Sequence, residues 1–113
     1  MKRPKGYRDT FSRKALVAES ERANGTIRQI QESSQSNQAQ TIELQKQLSK
    51  MRTDGKSTLK EQSAVIQRIQ RNNKITEDHG RQIGKLQVLI TFNQECVSYI
   101  DWMHGGVDGI SNR

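Results

Sequence analysis

An unbroken seven-residue register runs through most of this chain and limits it to helices packed along a seam. Counting from Ile27 as a, the apolar a and d positions are Ile27, Ile30, Leu44, Leu48, Met51, Val65, Ile69, Ile83, Leu86, Ile90, Val97 and Ile100. A straight α-helix drifts by about 20° per heptad against a strict seven-residue repeat, so a seam this long predicts supercoiling around a partner. Only 31% of the residues are hydrophobic. A globular domain usually carries about 45–50%, so apolar burial is expected mainly between copies. The fold class expected is all-α: a long parallel coiled coil.

Strand number follows from packing at a and d. Ile27 with Ile30 and Val97 with Ile100 favour three strands, Ile83 with Leu86 favours two, and Leu59, Ile66, Ile75 and Leu89 at the flanking e and g positions widen the apolar face. A homotrimer is the preferred state. Polar side chains interrupt the seam at Asn37, Thr41, Gln62, Asn72, Thr76, His79 and Asn93. Each loses water on burial, so each is expected to bond to symmetry mates, a trapped water or an ion and thereby fix the register. The e and g flanks carry Gln31, Gln38, Gln40, Gln45, Gln47, Gln82 and Gln87, which offer few partner-selecting ion pairs and favour self-association.

Two dipeptides interrupt this picture. Asn24-Gly25 and Asp54-Gly55 are turn formers, and each precedes a capping-box pattern, Thr26 with Gln29 and Thr58 with Glu61. A turn over residues 52–57 would pair residues 14–52 with 58–103 as an antiparallel hairpin. The phase, unshifted through Gly25, Gly55, Gly80 and Gly84, favours the continuous rod: roughly 88 helical residues at 1.5 Å rise, about 130 Å long.

Charge and composition divide the chain into four segments. Residues 1–14 hold Lys2, Arg3, Lys5, Arg8, Arg13 and Lys14 against Asp9 alone, with Pro4 and Gly6 opposing helix. This reads as a flexible basic arm that meets an acidic surface: nucleic acid, anionic lipid or an acidic protein socket. Residues 15–85 are the polar-core rod, with helix expected from about Ser12. Residues 86–104 are apolar on more than one face, and Phe92, Tyr99, Trp102 and Met103 are the expected partner-docking side chains. Residues 105–113 form a short Gly-rich tail.

Enzymatic chemistry finds no foothold. Gly55-Lys56-Ser57-Thr58 imitates the end of a phosphate-binding loop, but Lys50 stands where the first glycine belongs. His79 and His104, with the lone Cys96, have no metal-ligand spacing, and Cys96 has no base partner, so no cofactor or metal is expected. No apolar run approaches the roughly 18 residues of a membrane span, and residues 15–18 are too short for a signal-peptide core.

The Asn- and Thr-punctuated seam with Gln-rich flanks resembles the shafts of viral and bacteriophage fibres, spikes and tail needles. That resemblance implies a structural, non-enzymatic stalk in a virion or phage particle, seated in a larger protein assembly at one or both ends. Outside such a particle the chain is expected in the cytoplasm. The alternatives are a basic nucleic-acid-associated oligomer acting through residues 1–14, and an antiparallel hairpin adaptor docking through its apolar C-terminal segment.

Overall fold

The computed structural model describes residues 1–105. They form two long helices, α1 (Arg13–Asp54) and α2 (Leu59–Gly105), with no strand among the described residues. The tail expected over residues 105–113 lies, beyond Gly105, outside them. Two compact units are built from these helices: Met1–Ile27 with Gly84–Arg113, and Arg28–Ile83.

In the unit of residues 28–83 the chain turns back on itself. The helix does not run on through Gly55, as the unbroken phase predicts. Gly55 takes φ +65, a left-handed conformation that removes the Cβ penalty other residues carry. Its N–H donates to the Met51 carbonyl at 3.3 Å, closing the end of α1. The Ser57 hydroxyl donates to the same carbonyl at 3.2 Å and accepts from the Gln62 amide at 3.0 Å. The start of α2 is then set by the expected capping box. Thr58 Oγ1 accepts from the Glu61 N–H at 3.1 Å, while the Glu61 carboxylate accepts from the Thr58 N–H at 3.3 Å. The phosphate-loop imitation at residues 55–58 is therefore a helix connector.

Asn24-Gly25, the other turn dipeptide, stays helical. Ala23 and Ile27 are buried on either side of Gly25, and Thr26 donates to the Arg22 carbonyl at 3.1 Å instead of capping a new helix. Burial of the flanking apolar pair holds this stretch in α1, where Gly55 has no such neighbours.

Ile27, Leu44, Val65, Ile90 and Ile100 are buried, and Ile30, Leu48, Met51, Ile69, Ile83, Leu86 and Val97 are half-buried. Their neighbours are residues of the same chain. In the unit of residues 28–83, the Asn37 amide donates to the Asn72 carbonyl at 2.6 Å and to Thr76 Oγ1 at 2.9 Å. In the other unit, Arg13 pairs with Asp101 while Asn93 reaches Leu16 and Glu19, so the two helices run antiparallel there too. Seam positions expected to meet parallel copies are thus occupied within one chain. The reversal at Gly55 presents each helix with the apolar stripe of the other.

Candidate interaction surface

The unit formed by both ends of the chain carries most of the unusual chemistry. Its core is Tyr7, Leu16, Cys96 and Ile100, with Phe11, Phe92, Val97 and Tyr99 packed against it. The segment expected as a free basic arm is therefore anchored. Tyr7 packs edge-on to Phe11 at 5.6 Å and to Tyr99 at 5.0 Å, and Phe11 meets Phe92 at 6.2 Å. Such edge-to-face pairs add about 0.5–1.5 kcal/mol each beyond area burial. A turn closes ahead of Tyr7, whose N–H donates to the Pro4 carbonyl at 3.1 Å, with Gly6 at φ +93 beside the Phe92 ring. Ser12 then caps α1, its Oγ accepting from the Ala15 N–H at 3.3 Å.

This anchoring changes the roles expected from the sequence. Phe92 and Tyr99, expected to dock a partner, are covered by the chain's own N-terminal segment. Trp102 and Met103 remain 41% and 42% exposed, and Trp102 stacks on Tyr99 at 5.8 Å with a 29° interplanar angle. Among the basic residues, Arg13 holds Asp101 through Nε at 2.9 Å and a second nitrogen at 3.4 Å. Arg3 lies 5.3 Å from the Tyr7 ring centroid and 3.8 Å from Asp9. Lys2, Lys5, Arg8 and Lys14 are exposed.

Burial shapes the titration of two groups here. Desolvation, reinforced by Asp9, raises the Tyr7 hydroxyl above its ordinary value. Desolvation and then Glu95 raise the Cys96 thiol, which is fully buried. A raised thiol is less often the reactive thiolate, so the chemistry at Cys96 is packing.

Several of the polar layers make hydrogen bonds within the chain. Thr41 donates to the Asn37 carbonyl at 3.0 Å and Thr76 to the Asn72 carbonyl at 3.1 Å, joining the Asn37 contacts in one network. Gln62 locks the connector. Asn93 is 1% exposed, and its amide donates to Glu19 at 2.8 Å and to the Leu16 carbonyl at 3.4 Å. His79 is the exception, with Nδ1 buried and lacking a partner.

Sequence reasoning missed Tyr7, Phe11, Glu19 and Asp101. One signal for the first two was present: all the chain's phenylalanines, tyrosines and its tryptophan fall at residues 7, 11, 92, 99 and 102. A chain that folds back brings those two groups together.

A groove of about 550 Å³ runs beside the anchored segment, lined by Met1–Lys5 on one wall and by Thr91, Gln94, Glu95 and Ser98 of α2 on the other. No helix among the described residues is long and apolar enough to cross a membrane. Comparison with protein families, curated proteins and solved structures finds no match to this chain.

Proposed function

We propose that the chain is a non-enzymatic structural protein whose antiparallel helix pairs self-associate into an oligomeric scaffold inside a larger assembly, such as a virus or bacteriophage particle. The observation that carries this reading is the apolar surface left over after the seam has closed within the chain. Leu59 is 83% exposed and Ile42 52% in the unit of residues 28–83, and Val88 is 71% exposed in the other. Fully burying a Leu, Ile or Val contributes about 1.5–3 kcal/mol relative to leaving it in water. Two helices bury only one stripe each, and a second pair of helices can cover the rest, as in a four-helix bundle.

In this reading copies meet through positions outside the a and d seam. The trimer favoured by the Ile27–Ile30 and Val97–Ile100 layers gives way to pairs of hairpins, because those layers are filled from within the chain. The supporting experiment is sedimentation over a wide concentration range. An oligomer that dissociates when Leu59 and Val88 are changed to lysine, with helicity retained, supports the proposal, and a monomer at every concentration refutes it.

The hairpin-adaptor alternative draws on Trp102 and Met103, which stay accessible at the end of α2. In the sedimentation experiment it corresponds to a monomer.

A further inference from the structure

We propose that the unit formed by the two chain ends binds single-stranded nucleic acid, with phosphates on Lys2, Lys5 and Arg8 and an unstacked base on Trp102. This goes beyond self-association and rests on different residues.

One cation and three rings are in successive contact. Arg3 covers Tyr7, Tyr7 meets Tyr99, and Tyr99 stacks on Trp102, each step 5.0–5.8 Å. The last ring of this ladder offers an exposed face. An indole face supported from behind by another ring is a platform on which any base can stack, and base–aromatic stacking needs a base already out of a duplex. Stacking alone is sequence-tolerant, so the second requirement is a cationic track for the backbone.

That track is the anchored segment. Tyr7 and Phe11 hold it on α2, so Lys2, Lys5 and Arg8 are presented at fixed places instead of on a free tail. None of the three makes an ion pair among the described residues, whereas Arg3 and Arg13 are engaged with Asp9 and Asp101. The groove beside Lys2 and Lys5 is lined by Thr91, Gln94 and Ser98, whose hydroxyl and amide groups are donors to phosphate oxygens. Glu95 is the one acid in that lining, and cations on the opposite wall outnumber it. A lipid surface would call for exposed apolar side chains among the cations. Met1 is exposed beside Lys2, so the choice of a nucleic acid rests on the ring-supported indole of Trp102, and vesicles are the control.

The chain holds a single tryptophan, so its emission reports the proposed contact directly. Added to the full-length protein at low salt, an oligothymidylate is expected to quench that emission. Three phosphate contacts predict a slope of log affinity against log salt of about −2. Changing Lys2, Lys5 and Arg8 together to glutamine should flatten the slope toward zero. Trp102→Leu, followed by anisotropy of a labelled oligonucleotide, should weaken binding about tenfold and leave the slope unchanged. Helicity of both variants, read by circular dichroism, separates loss of contact from loss of fold. Three results would each overturn the proposal: unchanged emission and no binding at low salt, inorganic polyphosphate competing as well as the oligonucleotide with the indole unaffected, or preference for phosphatidylserine vesicles. Because sedimentation of the unliganded protein tests the scaffold reading, failure of either proposal leaves the other standing.

Discussion

Replacing Asn93 by aspartate exchanges one atom group in the most buried polar side chain and should turn a stabilising contact into a repulsive one. Asn93 now donates to the Glu19 carboxylate at 2.8 Å, a hydrogen bond to a charged group of the kind that contributes about 1.5–3 kcal/mol. In Asn93→Asp that donor becomes a second carboxylate. At 2.8 Å and an effective dielectric of about 20, the repulsion would be about 6 kcal/mol. Taking up a proton at pH 7 instead costs about 4 kcal/mol, from an ordinary aspartate value near 3.9 and 1.36 kcal/mol per unit. Protonation is the cheaper route, so it caps the loss at about 4 kcal/mol. The new carboxyl has a folded-state value raised above its unfolded one. Stability is therefore intact below about pH 4 and is lost as pH rises toward 7, by about 1.4 kcal/mol per unit. Urea titrations of parent and variant at several pH values, followed by circular dichroism, measure this directly. Adding Glu19→Gln should recover at least half of the loss at neutral pH. A variant within about 0.5 kcal/mol of its parent at pH 7 would refute the assignment of this pair.

Three further outcomes follow from the geometry. His79→Leu should raise the melting temperature, by an amount equivalent to about 1 kcal/mol, because it removes a buried nitrogen without a partner; a lower melting temperature counts against that account. Gly55→Ala should cost about 1–2 kcal/mol at φ +65, while Gly25→Ala and Gly80→Ala, where an added Cβ meets nothing within 4 Å, should each add about 1 kcal/mol. Chemical denaturation checks the contrast, and equal signs at Gly55 and Gly25 would remove the basis for locating the turn. Burial raises Tyr7 above its ordinary 10.0, so the contribution of the neutral hydroxyl is present below pH 10 and lost as pH rises beyond it. Unfolding at alkaline pH should show a dependence that Tyr7→Phe reduces, and an unchanged profile would contradict the burial.

The register was legible in the sequence because burial follows it in either orientation. Residues such as Leu44, Val65 and Ile90 need an apolar neighbour, and nothing in their spacing says whether that neighbour belongs to the same chain. The continuity of phase across Gly55 misled for a geometric reason. Residues 55–58 fill positions a to d of one heptad, so α2 begins at e with Leu59 and keeps the count while the direction reverses. Local chemistry carried the better signal there: Asp54-Gly55 followed by the Thr58–Glu61 box marks an end and a start. The basic segment was misread because its charges were weighed and its two rings were not. Tyr7 and Phe11 are four residues apart, and the turns at Pro4–Tyr7 and Arg8–Phe11 set them against Tyr99 and Phe92. The polar seam positions are buried or half-buried, and their partners, a helix carbonyl or a nearby carboxylate, depend on a fold direction that periodicity does not encode.

Cys96 lies sealed beneath Tyr7, Leu16 and Ile100 with no accessible surface. A thiol reagent can reach that sulfur only after the N-terminal segment or the start of α1 has lifted away from α2. The rate at which Cys96 is labelled is thus a clock on the opening of this end of the molecule, readable in the unaltered protein without a single introduced probe.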